Sequence, residues 1–421
     1  MRWLPSLLAA EAIPSAMITF VALLLFVQLG VGWGESTLLC ALLTLPWVLK
    51  SWLREWLLRC GAVHHALRIT EVLMCALLFA LAYSVRQLSP QPYLLFGLLF
   101  LLGTLCACHM LLARTYYEQR LSTREQHFYH SLKITFLQAF TVVTYGLTLL
   151  SVGALEVFFH KYRNPMAWSW STVIYLLAAL YLLLTLWQLW ALRKVVPADD
   201  KPREAEAEAP RWRSAALLCL FFLLLPQALM FHTRVLFLMS SVADGGLGCS
   251  LQWIGLAQGT VGVIAFSAGL GCGHWLLQHV GRRPWLLSPA TPRRLYWSMV
   301  IPLGLSPFVY WLMTQWPPSG LLPLCAATAV AQLCFGYGLN SCTTFIRRIS
   351  GERYRSTISY LYIPLVSLVM LPPMALSGWL LVQHGFERFF AVDALLALPA
   401  WLAAHLGWKT SPSSPSPQHV L

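Results

Sequence analysis

The sequence predicts an all-α polytopic membrane protein of twelve transmembrane helices in two six-helix halves. Three observations lead there. The 421 residues are 58% hydrophobic and only 11% charged, whereas a soluble domain carries about 25% charged residues. Such a chain cannot cover its apolar surface with polar groups, so lipid must be part of its solvent. Apolar runs of the roughly 20 residues needed to cross a ~30 Å hydrocarbon core recur along the whole chain. One strongly charged stretch, Arg193 to Arg213, divides those runs evenly; it carries basic residues at 193, 194, 201, 203, 211 and 213 and acids at 199, 200, 204, 206 and 208.

Taken in order, the runs place spans at 9–29, 36–53, 67–85, 92–112, 132–153 and 169–192, then at 214–240, 251–278, 295–315, 320–345, 357–381 and 387–408. The expected organisation is an N-terminal half over 1–192, a linker over 193–213, a C-terminal half over 214–409 and a tail over 410–421. The linker has three prolines and an Ala/Glu run, with no apolar face to bury, and reads as a solvated tether. The first apolar run is long enough to span and lacks an A-x-A-like exit, so it does not read as a cleavable signal.

Loop charge tests this count. The loops after spans 2, 4, 6, 8 and 10 hold 22 Lys and Arg residues, among them Lys50, Arg54, Arg114, Arg282, Arg283, Arg347 and Arg348; the opposite loops hold Arg86, Lys161, Arg163 and Arg388. Basic residues stay on the cytoplasmic side of a membrane. The asymmetry therefore predicts a cytoplasmic linker and cytoplasmic termini in a cytoplasmic (inner) membrane. The same assignment accounts for the net charge of +13 without nucleic acid as a partner. The eleven cysteines mostly lie inside apolar runs and read as packing residues rather than a disulfide framework or zinc site.

The halves echo each other. Pro14 sits early in span 1 and Pro226 in span 7, and glycine-rich exits follow both, at Gly30-Val31-Gly32 and Gly245-Gly246-Leu247-Gly248. Internal repeats of this kind let transporters build two states of one cavity. No G-x-S-x-G, H-E-x-x-H, Walker loop or paired-Cys site is present, which points away from enzymes and from metal or other cofactors.

Ionisable residues inside apolar spans are costly, and so carry the functional candidates. Arg234 lies well into span 7 with His232 two residues before it; an anionic substrate group is the guest expected for its guanidinium. Glu11 and Lys50 stand near the ends of spans 1 and 2, where they could pair across the hairpin or snorkel to the interface. Glu71 is a turn inside span 3, and Asp393 lies in span 12. Uncharged polar residues within spans are Gln138, Tyr145, Gln258, Gln332 and Asn340, for which helix-packing contacts are the competing role. Prolines 226, 364, 372 and 373 are places where broken backbone could offer carbonyls to a cavity.

At this point the motifs resemble a known family. Trp3-Leu4-Pro5-Ser6 followed by Glu11-Ala12-Ile13-Pro14 is similar to WxPS…EGxP, and Leu45-Pro46-Trp47-Val48-Leu49-Lys50 to LPWxxK. Gly245-Gly246-Leu247-Gly248 with Gly259-Thr260-Val261-Gly262-Val263 resembles GGLG…YGTxGV. Phe335-Gly336-Tyr337-Gly338 and Leu371-Pro372-Pro373-Met374-Ala375-Leu376-Ser377-Gly378-Trp379 complete the set. Together, from residue 3 to about 380, they resemble the AmpG-type muropeptide permeases of the major facilitator superfamily, in a Bacteroidetes-like form. The chain departs from that pattern after Lys50, with Leu53, Arg54, Glu55 and Leu58 where W-x-P-x-x-D is usual, and after span 4, with Arg114-Thr115-Tyr116-Tyr117 in place of D-G-[FY]-Y. The superfamily's gating-loop signature is reduced to Gly281-Arg282-Arg283, without its acid.

The resemblance implies a monomeric secondary transporter, importing with protons as the coupling ion a small solute such as a muropeptide, whose carboxylates make it anionic. The missing acids motivate a second expectation, a transporter-like membrane protein that senses or assembles and does not transport.

Overall fold

The computed structural model describes residues 3–58, 63–87, 90–120, 135–192, 214–281, 291–350 and 355–410. Among them all the regular structure is helical, and ten helices are long and apolar enough to cross a membrane. Two irregularities separate ten from twelve. The second span is broken into pieces, and the last two run together as one 48-residue helical stretch, Tyr362–Lys409, about twice what a bilayer requires.

In chain order the transmembrane helices are α1 (Trp3–Gln28, with a π-helical turn over Met17–Val21), α2 (Trp33–Leu42, Leu45–Val48 and Lys50–Leu58), α3 (Val63–Val85), α4 (Pro92–Arg120), α5 (Thr135–Phe158, π-helical over Val143–Leu147) and α6 (Pro165–Ala191). There follow α7 (Ser214–Met239), α8 (Leu251–Gly281, π-helical over Gly255–Gly262), α9 (Thr291–Gln315), α10 (Leu321–Ser350), and α11 and α12 within Arg355–Leu395 and Ala397–Thr410. Helix α11 ends and α12 begins at Gly385, whose φ of 70° and ψ of 167° interrupt the helix. Side chains rarely adopt that conformation, and glycine does so without steric cost. The protein is a twelve-helix, multi-pass membrane protein.

Two expectations about backbone breaks are corrected. Span 2 was expected as one helix over 36–53, but α2 turns at Leu43–Thr44 and again at Leu49. Pro46 is the cause: it has no N–H to donate, and its ring crowds the carbonyl of Leu42 one turn earlier. Conversely, Pro226, Pro364, Pro372 and Pro373 leave their helices unbroken, as neighbouring helices in a bundle allow. The π-helical turns lie in α1, α5 and α8.

Two compact units emerge, Met1–Pro202 with Cys249–Thr260, and Arg203–Gly248 with Val261–Leu421. In the first, the core at the end where α1 begins is built by Leu7, Leu8, Leu57, Leu67, Leu111 and Tyr116. Elsewhere in this unit the α5 π turn packs against the opening turns of α8: a Cβ on Gly146 would lie 3.0 Å from the Gly259 carbonyl oxygen, and one on Gly259 would lie 2.5 Å from the Gly146 Cα. Only hydrogen at both positions lets these backbones touch.

The second unit is tied by an aromatic group at the end where α7 finishes. Phe237 contacts Phe386 and Phe390 (centroids 5.3 and 5.4 Å apart) and Tyr310 stacks on Phe390. The Gly245–Gly248 motif closes this end. Gly245 and Gly248 take positive φ, and Leu247 N–H donates to Phe237 O, capping α7. At the other end Arg348 lies 4.0 Å over the Trp408 ring, which stacks on Tyr296.

Candidate functional site

In the first unit four ionisable or hydroxylic side chains occupy one layer. Glu11, Glu71, His109 and Tyr181 lie eight to eleven residues from the ends of α1, α3, α4 and α6 on the side where α1 begins, a depth of about 12–16 Å at 1.5 Å per residue. All four are buried. Nε2 of His109 lies 3.1 Å from Oε1 of Glu71, and both residues have 0% exposure. Glu71 Oε2 and His109 Nδ1 are buried with no hydrogen-bond partner. Tyr181 donates its hydroxyl to the Ala10 carbonyl at 3.4 Å, and its ring places the oxygen within electrostatic reach of Glu71.

Glu11 and Lys50 meet the same layer from α1 and α2. The Cys106 thiol lies within electrostatic reach of both charges and donates to the Glu11 carbonyl at 3.6 Å. Glu11 is buried, Lys50 half-buried, and each has a polar or electrostatic partner. Nearer the helix ends, Gln188 Nε2 donates to Ser6 O at 2.8 Å and Arg68 to the Leu192 carbonyl.

The second unit holds Arg234 and His232 in α7, five and seven residues before Met239. Arg234 is 6% exposed, so its charge is held inside protein. Its Nε has no hydrogen-bond partner, and its guanidinium carbon lies 5.1 Å from the Phe231 ring centre. His232 is also buried, edge-on to Phe231, with Nδ1 unpartnered. One turn further back, Gln227 Nε2 donates to Leu303 O at 2.7 Å while its Oε1 stays unpaired. Asp393 in α12 is buried with both carboxylate oxygens unpartnered among the described residues.

The uncharged candidates divide by role. Asn340 gives its amide to the carbonyls of Leu270, Gly336 and Tyr337 at 3.1–3.3 Å and so ties α10 to α8. Tyr145, within the π turn of α5, stacks on Phe20 at 5.1 Å. Gln258 and Gln332 are buried, and Gln138 is half-buried in the first turn of α5. Gly281 ends α8; Arg282, Arg283 and the 193–213 linker lie outside the described residues.

Sequence reasoning passed over His109 and Tyr181. His109 falls inside the apolar run 92–112, where the rule that flagged Glu71 applies equally. Also missed was a second polar group in the first unit, where Gln28 reaches Glu156 at 3.2 Å and accepts from Trp170. Among the described residues, no three His, Cys, Asp or Glu side chains gather as a metal site.

No family model matches the chain, and no curated protein matches it in sequence. Solved structures do match it along nearly its whole length. A bacterial homologue of the human lysosomal transporter Spinster, inward-facing and unoccupied, aligns over 98% of both chains with a TM-score of 0.68 at 14% identity. The nucleoside transporter NupG aligns over 97% of both, with a TM-score of 0.67 at 14% identity. The chain has the major facilitator fold. A D-xylose–proton symporter shares it as well, over 97% of this chain and 96% of that one, with a TM-score of 0.64 at 14% identity. At these identities the likeness concerns the major facilitator fold alone.

Proposed function

We propose that the protein is a secondary transporter of the cytoplasmic membrane, importing a small anionic solute of the sugar-peptide class, such as a muropeptide, together with protons. The observation that carries this reading is the buried guanidinium of Arg234, with an unpartnered Nε, in a helix of a major facilitator fold. A charge that cannot deprotonate costs a few kcal/mol within a bilayer unless something anionic or wet meets it. A carboxylate-bearing solute is the natural counter-charge. The AmpG-like motifs support a muropeptide as that solute, and the buried acids Glu71 and Asp393 supply groups able to exchange a proton with binding.

Alternating access is the mode of action in this reading, with the linker and both termini on the cytoplasmic side. Its test is counterflow in proteoliposomes, with labelled anhydro-muropeptide as probe and other sugar-peptides as competitors. Exchange that saturates and is competed by unlabelled solute is expected. No exchange with any of these solutes would favour the non-transporting alternative, for which the absent loop acids speak.

A further inference from the structure

We propose that the Glu71–His109 pair is the proton-carrying site of this chain, an inference that rests on the proton-coupled reading above. Three features of the geometry point to it. The pair is fully enclosed, and it bridges two helices, α3 and α4. The hydrogen bond uses one atom from each partner, Glu71 Oε1 and His109 Nε2. That leaves Glu71 Oε2 and His109 Nδ1, both buried and unpartnered, as two positions able to accept a proton.

The charge balance is simple. With a carboxylate and a neutral ring donating from Nε2, the pair carries one negative charge. A proton arriving at Nδ1 gives an imidazolium held by the carboxylate; one arriving at Oε2 gives a carboxylic acid beside a neutral ring. Either way one proton is taken up, no bond other than the new N–H or O–H forms, and the net charge falls to zero. Enclosure favours the uncharged sum, and hydration favours the charged one. Occupancy by the proton is thereby tied to whether the site is dry.

The charged and titratable neighbours define the balance further. Tyr181 from α6 lies within electrostatic reach of Glu71, Cys75 and Cys106, and Cys106 from α4 lies within reach of Glu11 from α1, Lys50 from α2 and its own neighbour Cys108; Arg54 and Arg68 stand nearer the helix ends. Arg68 is committed to the Leu192 carbonyl and Tyr181 to that of Ala10. Lys50 and Arg54 are only half-buried. None of these side chains hydrogen-bonds the two free atoms of the pair.

The experiment uses the full chain in lipid nanodiscs. The imidazole of ¹⁵N-labelled His109 is followed by NMR from pH 5 to 9, its signal assigned with His109→Gln and, should that variant fold poorly, with His109→Asn. The carboxyl band of Glu71 is followed in parallel by infrared difference spectroscopy of the wild-type protein. The ring signals and the carboxyl band are expected to change together across the series, and the ring's response to change in Glu71→Gln, because the imidazolium then loses its counter-charge. A ring and carboxyl fixed across the range, or a ring response unchanged in Glu71→Gln, would show a purely structural hydrogen bond and overturn the inference. Uptake of anhydro-muropeptide driven by an imposed pH gradient separates this from the parent reading. Gradient-driven uptake that persists in Glu71→Gln overturns the inference alone. Wild-type uptake indifferent to the gradient, alongside a titrating pair, overturns the proton-coupled reading instead.

Discussion

Arg234 and Cys249 show how much one side chain's surroundings decide. Arg234→Gln keeps hydrogen-bonding capacity but removes the charge; it is expected to lower muropeptide uptake at least tenfold with normal expression, whereas His232→Gln lowers it less. Uptake assays normalised to the amount of folded protein read both, and equal activity in the Arg234 variant would return that residue to a structural role. Cys249 sits in the loop between α7 and α8, where burial raises its thiol from 9.0 to about 11. Less thiolate is then present at neutral pH than for a free thiol, so maleimide labelling should be slow at pH 7 and rise about tenfold per pH unit towards that value. A variant retaining Cys249 as its sole cysteine, labelled across a pH series, tests this. The same reagent in impermeant form, applied to intact cells, tests the orientation: labelling from outside is expected.

At the level of the helices, close approach governs the irregular turns. The π segments of α5 and α8 meet through Gly146 and Gly259, where an added Cβ would lie 2.5 Å from backbone. Gly259→Ala should therefore destabilise the protein by about 1–3 kcal/mol through overpacking, visible as a lower Tm in detergent. Gly271, in the same helix α8, meets nothing within 4 Å of an added Cβ. There Gly271→Ala should be neutral or stabilise by up to about 1 kcal/mol through helix propensity. Equal effects at the two sites would refute the close-packing account. Such contacts were not legible in the sequence: glycine spacing suggested close packing in α8, but its partner in α5 is more than a hundred residues earlier. The breaks in α2 were legible in principle, since Pro46 lies mid-span, yet the continuous apolar run masked them. Hydropathy reports whether a segment can enter lipid and is silent about how its backbone bends there.

For the whole molecule, the twelve-span architecture could be read from apolar length and loop charge, because a bilayer imposes one length scale on every crossing. The polar layer of the first unit could be read only in part. Glu71 stood out as a lone acid, while its partner His109 is 38 positions away, and pairing across that distance depends on how α3 and α4 pack. The tether assignment leads to a further expectation. Replacing 196–210 by a Gly/Ser segment of equal length should leave insertion, Tm and uptake unchanged, as for a flexible linker. Loss of folding in that variant would reveal a docking role for the native segment.

Gly385 has a consequence for how the protein is made. Helix persists on both sides of this residue, so almost no hydrophilic chain separates the last two crossings. A nascent chain could not hold α11 in place on the membrane while α12 waits in the aqueous exit. The two would have to leave the insertion machinery together, as a hairpin. Until Phe386 and Phe390 arrive, Phe237 and Tyr310 lack their aromatic partners. The aromatic group of the second unit is thus completed only when α12 is in place, and Phe237 and Tyr310 stay uncovered on that side until then.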